Sequence, residues 1–134
     1  MQTSRSFPCN PASVRPARHF VLQAVGDIPA RLRDAVAVMT GELTMNAIEH
    51  ARTGFTITVT LSGGIIRVEV TDGDQNHPVP RPMPPPSSPR GRGLPILDHL
   101  ADDWGITPAP HSRGKSIWFT IAMPSPAAQD TTSP

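Results

Sequence analysis

The chain of 134 residues has one cysteine, Cys9, and one lysine, Lys115. A lone cysteine excludes an intrachain disulfide and a cysteine metal cluster, and it fits a reducing interior. No stretch approaches the roughly 20 apolar residues that a membrane-spanning helix needs. Residues 1–9 lack the apolar core of a secretory signal. Charge excess is missing too. A net charge of +1 and a pI near 8.1 give no strong field for nucleic acid or an anionic membrane surface. The expectation is a soluble cytoplasmic protein with no direct nucleic-acid or membrane partner. The length predicts one domain with its own core, and no internal repeat is visible.

Residues 3–8 have the composition of a short edge strand, ended by Pro8. Asn10 or Ser13 is placed to cap a helix that starts near Pro11 or Ala12 and runs to about Ala24, with Phe20, Val21 and Val25 on its apolar side. Gly26 and Pro29 punctuate the boundary to a longer helix over about residues 29–51. Leu32, Val36, Met39, Leu43, Ala47 and Ile48 recur there at amphipathic spacing. Gly41 is its weak point, costing about 1 kcal/mol relative to alanine. Phe55-Thr-Ile-Thr-Val-Thr-Leu61 alternates apolar residues with threonine, as a half-buried strand does. Gly63-Gly64 makes a hairpin turn. The return strand over 65–71 puts Ile66, Val68 and Val70 on one face, Arg67 and Glu69 on the other, and ends at Asp72-Gly73-Asp74.

Seven of residues 78–89 are proline, which excludes a helix interior or a central strand and predicts an extended loop. A short helix follows over 94–101 with Pro95 in its first turn. A short strand at 104–107, a turn at Gly114 and a last strand over 116–122 complete the domain, residues 1–123. Residues 124–134 are expected to be a disordered tail. The order β-α-α-β-β-loop-α-β-β predicts an α/β (α+β) two-layer sandwich, with helices on one face of a mixed, mostly antiparallel sheet. Trp104 and Trp118 are expected to anchor its core.

Four features could carry chemistry. Glu42 and Asn46 are four residues apart, on one line of the long helix with His50. An asparagine oxygen is a hard ligand suited to magnesium, and a nearby carboxylate can position or deprotonate a nucleophile. Asp72, at a strand end, can accept a hydrogen bond from an exocyclic amine such as that of adenine, and Gly73 removes a Cβ that would hinder a flat ring. Gly91-Arg92-Gly93-Leu94 opens a helix, where backbone N–H groups can approach phosphate oxygens. Arg92 can add charge-assisted bonds to phosphate. Gly114-Lys115-Ser116 opens the last strand. Zinc is not expected, because the helix around Glu49 and His50 lacks the His-Glu-x-x-His order.

In this order the motifs resemble those of the GHKL superfamily, whose Bergerat ATP-binding fold serves gyrases, heat-shock chaperones, histidine kinases and mismatch-repair ATPases. Within it the chain looks most like bacterial anti-sigma factor serine/threonine kinases and their short actinobacterial relatives. The likeness covers about residues 3–123. Glu42-Leu-Thr-Met-Asn46-Ala-Ile-Glu-His50-Ala resembles the N box, which implies Asn46 as the magnesium ligand and Glu42 as the catalytic base. Asp72 and Gly73 resemble the first glycine box, and Gly91, Arg92, Gly93 and Leu94 the second, which contacts phosphates. Ser116 stands where the family often has a threonine near the adenine pocket. The proline-rich loop over 78–90 is the ATP lid by this likeness.

Two departures stand out: Asp72 is followed at once by Gly73 with no second glycine, and the lid is rich in proline instead of glycine. Pro95, lacking an N–H, also removes one phosphate donor near the helix start. The resemblance implies an enzyme that uses ATP and Mg2+ to phosphorylate a serine of an anti-sigma factor antagonist, acting in transcription regulation. The alternative is a nucleotide-sensing or catalytically inactive module that sequesters a sigma factor or other regulatory partner. Homodimerisation is a family expectation.

Overall fold

The computed structural model describes residues 1–51, 53–73, 94–108 and 114–123. The expected lid at 78–90 and the tail at 124–134 lie outside these residues. Local sequence sets each boundary. β1 (Gln2–Phe7) stops before Pro8. The Asn10 side-chain oxygen accepts from the Ala12 N–H at 2.8 Å, capping a 3-10 turn at Pro11–Ser13 that leads into α1 (Val14–Val25). The Ser13 hydroxyl donates to the Pro8 carbonyl at 2.8 Å and ties that turn to the strand end. α1 ends at Gly26, whose φ of 73° is left-handed.

α2 (Ala30–Asn46) continues into a π-helical turn, Ala47–Ala51. β2 (Phe55–Ser62) and β3 (Ile65–Asp72) are joined through Gly63 and Gly64 at φ 62° and 77°, the two positive values that a type I′ hairpin requires. α3 (Leu94–Leu100), β4 (Asp103–Pro108) and β5 (Lys115–Ala122) follow in the predicted order.

The five strands form one sheet in the order β1-β2-β3-β5-β4. All four pairings are antiparallel, so the mostly antiparallel sheet expected from the sequence is wholly antiparallel among the described residues. The alternating strand pattern places Phe55, Ile57, Val59, Ile66, Val68, Val70, Ile117, Phe119 and Ile121 on one buried face, and α1 and α2 bring Val21, Val36, Met39 and Leu43 to meet it. Each such side chain, once fully buried, contributes roughly 1.5–3 kcal/mol. The other face carries hydroxyls in cross-strand pairs: Ser4 with Thr58 at 2.9 Å, Ser6 with Thr56 at 2.8 Å.

Trp104 lies half-buried on the helix side, against the core, and its indole N–H donates to Asp98 at 2.6 Å. Trp118 is a correction to the expected pair of core anchors. It pairs with Glu69 and Gly105 on the face away from the helices, half-buried, with the Arg67 guanidinium 4.9 Å from its ring centre. Gly105 leaves space for that ring, since a Cβ there would sit 2.7 Å from Trp118 Cζ2. None of the described helices is long and apolar enough to cross a membrane.

Candidate functional site

The register identifies one end of the sheet. Phe7 pairs with Phe55, and Phe55 with Asp72. The π turn at the end of α2 leads through Thr53 and Gly54 into Phe55, and the Cys9 thiol donates to the Ile48 carbonyl at 3.6 Å. The C-terminal end of α2 therefore lies at the Asp72 end of the sheet. There α2 presents Glu42 and Asn46, both half-buried, while Leu43, Ala47 and Ile48 are buried beneath. The two polar residues are about 6 Å apart along the axis and about 40° apart around it. Asn46 is the last residue of the regular helix. His50, expected on the same line, falls in the π turn, where the residue spacing changes, and it is exposed.

Asp72 is the one ionisable side chain among the buried polar residues described, and it is 3% exposed. A buried carboxylate is costly unless paired and hydrogen-bonded. Strand parity explains its position: Ile66, Val68 and Val70 face the helices, so Asp72 does too. Carrying the register on from Thr71–Ser116 sets Lys115 opposite Asp72. The Lys115 backbone N–H donates to Asp72 Oδ1 at 3.2 Å and its ammonium pairs with Oδ2 at 3.1 Å. Gly114 is pressed on the same residue, since a Cβ there would overlap the Asp72 carbonyl oxygen. Gly73 is exposed, with nothing among the described residues within 4 Å of the position of a Cβ.

The other expected residues are placed as follows. Leu94 opens α3. Gly91, Arg92 and Gly93 lie outside the described residues. Ser116 is buried, on the opposite face from Asp72, where its hydroxyl shares a 2.7 Å hydrogen bond with that of Thr71. The structure thus brings Asp72, Gly73 and the Glu42–Asn46 helix end to one region and turns Ser116 from it. Lys115 is the partner of Asp72 that motif reading did not single out. Period-two counting would have found it, because Ile117, Phe119 and Ile121 face inward and Lys115 shares their parity.

The donor set bears on the expected magnesium. No cluster of three or more His, Cys, Asp or Glu that could hold a metal occurs among the described residues. Magnesium needs no such cage, because it keeps several waters and takes one or two protein oxygens together with phosphate oxygens. A half-buried Asn46 amide, one turn from Glu42, fits that role. A shallow concavity lined by His19, Leu22, Gln23, Gly26, Asp27 and Arg33 lies elsewhere, at the α1–α2 corner. Arg33 is about 20 Å along α2 from Asn46.

A family model, the histidine kinase-like ATPase domain, matches residues 7–121. Among solved structures, the RsbU and RsbW domains of Rv1364c from Mycobacterium tuberculosis superpose with a TM-score of 0.68 at 18% identity. The match covers 94% of this chain and 33% of that one, so the chain spans about a third of its length. No curated protein matches the chain.

Proposed function

We propose the following for this chain, which belongs to the histidine kinase-like ATPase domain family: it binds ATP with magnesium where α2 and β3 end, and transfers the γ-phosphoryl group to a serine of a regulatory partner of the anti-sigma factor antagonist type. The observation that carries this reading is Asp72, a carboxylate buried at a strand end beside the helix end that bears Glu42 and Asn46. Burying a charge there serves a ligand that offers it a hydrogen-bond donor.

In this reading Asp72 accepts from the adenine amine, and Gly73, which lacks a Cβ, admits the flat ring. Asn46 would hold Mg2+, which when bound offsets the charge on the phosphates. By its likeness to the second glycine box, the stretch Gly91, Arg92, Gly93 and Leu94 contacts the phosphates. Ser116 acts on the site only through Thr71, beside Asp72. Glu42 orients the serine hydroxyl and takes its proton. The serine oxygen forms a bond to the γ-phosphorus, the bond from that phosphorus to the bridging oxygen breaks, and ADP leaves. The gain comes from positioning and charge stabilisation. The partner class rests on the resemblance of the sequence to anti-sigma factor kinases, and the fold shared with the RsbU–RsbW chain supports it.

The test is to incubate the protein with labelled ATP, magnesium and candidate antagonist proteins. Label on a partner serine is expected. Glu42→Ala should lower transfer by at least about a hundredfold, as loss of general-base catalysis does, and keep nucleotide binding. Unchanged transfer in that variant would remove Glu42 from the reaction. One observation favours a second reading, a nucleotide-sensing module that sequesters its partner without chemistry: Lys115 already engages both oxygens of Asp72. Nucleotide binding with no label on any partner would select it.

A further inference from the structure

We infer that Lys115 is a base-reading residue: its ammonium donates to the ring nitrogen beside the exocyclic amine that Asp72 accepts, so that the two side chains read one aminopurine edge together. This rests on the nucleotide site proposed above.

An adenine edge presents a donor, the 6-amino group, next to an acceptor, N1. Reading both needs a protein acceptor and a protein donor side by side on the same face of the sheet. Asp72 is the acceptor. Ser116, the hydroxyl that the resemblance places near the base, is turned to the opposite face and bonded to Thr71. Lys115 is on the correct face by strand parity, with its nitrogen 3.1 Å from Asp72 Oδ2.

The two side chains differ in a useful way. The Asp72 side chain is 5% exposed and that of Lys115 is 36% exposed. The carboxylate is therefore a fixed element at the bottom of the site, and the ammonium reaches it from the solvent side on a four-carbon stem. A carboxylate has about four acceptor sites, so one oxygen can bind an ammonium and an amine together. The ammonium has three donors, and holding Oδ2 uses one. An arriving base then meets an acceptor and a charged donor already set against each other. The main-chain bond from Lys115 to Oδ1 keeps the carboxylate orientation fixed during the exchange.

The experiment measures four dissociation constants by calorimetry in magnesium: wild type and Lys115→Met, each with ATP and with 1-deaza-ATP, in which N1 is replaced by CH. Methionine keeps the apolar stem and removes the donor. Wild type should bind 1-deaza-ATP about tenfold more weakly than ATP, the low end for a hydrogen bond to a charged group. Lys115→Met should bind both nucleotides alike, near the wild-type value for 1-deaza-ATP. Equal affinity of wild type for the two nucleotides overturns the inference without recourse to any variant. So does an undiminished 1-deaza penalty in Lys115→Met, or tighter ATP binding by it, which would make Lys115 a plug on Asp72. If wild type binds neither nucleotide, the nucleotide site itself fails and this inference falls with it.

Discussion

Gly114 and Gly73 flank the same carboxylate and should respond oppositely to alanine. At Gly114 an ideal Cβ overlaps the Asp72 carbonyl oxygen and lies 2.5 Å from Oδ1 and 2.9 Å from the carbonyl carbon, where ordinary contact begins at 3.4 Å. Two of these three atoms are backbone in a paired strand and cannot rotate away. Relief requires the start of β5 to lift from β3, which also breaks the bond from Lys115 N–H to Asp72. Overpacking costs about 1–3 kcal/mol and the lost hydrogen bond about 1 kcal/mol, so Gly114→Ala should destabilise by about 2–4 kcal/mol. For a domain of this size that is a fall in Tm of roughly 8–16 °C, a large share of a total stability of about 5–15 kcal/mol.

Gly73→Ala meets none of the described residues and should fold within about 0.5 kcal/mol of wild type, while binding ATP more weakly because its methyl enters the space proposed for the ring. Urea and thermal unfolding followed by circular dichroism give the first comparison, and calorimetry with ATP the second. Wild-type stability in Gly114→Ala would refute the close seating of β5 on Asp72. Wild-type ATP affinity in Gly73→Ala would refute the position given to the ring.

Two further outcomes follow from buried polar groups. Asp72→Asn should lower ATP affinity at least tenfold, because its amide turns a donor toward the base, yet cost only about 1 kcal/mol of stability, because the ion pair it removes has a partner 36% exposed and screened by water; a calorimetric curve like that of wild type would remove Asp72 from the site. The Thr40 hydroxyl is fully buried on α2 with no hydrogen-bond partner among the described residues, so Thr40→Val, nearly isosteric, should stabilise the protein by about 1 kcal/mol. A clear loss of stability in urea titration would show that the hydroxyl is satisfied in solution.

Most of the fold was legible because its cues are local. The Asn10 cap, Gly26, the Gly63-Gly64 turn and the alternation of threonine with apolar residues along β2 each act over a few residues, and each boundary falls where they place it. The helix line of Glu42 and Asn46 was legible for the same reason. Trp118 was not, because large aromatics bury area on either face of a sheet, and the choice here depends on a glycine across the strand pair at Gly105 and a cation on β3 at Arg67. The π turn after Asn46 was invisible too: nothing in Ala-Ile-Glu-His-Ala distinguishes it from another turn of α-helix.

The site shows where motif reading and strand geometry part. A motif matches a residue type to a role, and by that logic Ser116 stands near the base. A strand assigns faces by parity, and parity is set by the residues that must be buried. Ile117, Phe119 and Ile121 cannot turn outward without exposing the core, so Lys115 has to face Asp72 and Ser116 has to face Thr71. Shifting β5 by one residue would bring Ser116 to Asp72, but it would put three core side chains into water at a cost of roughly 1.5–3 kcal/mol each. No single hydroxyl-to-base hydrogen bond, worth about 1 kcal/mol net, offsets that. Among the described residues of β5, the side chain that parity sets beside Asp72 is therefore that of position 115, where the chain has its only lysine.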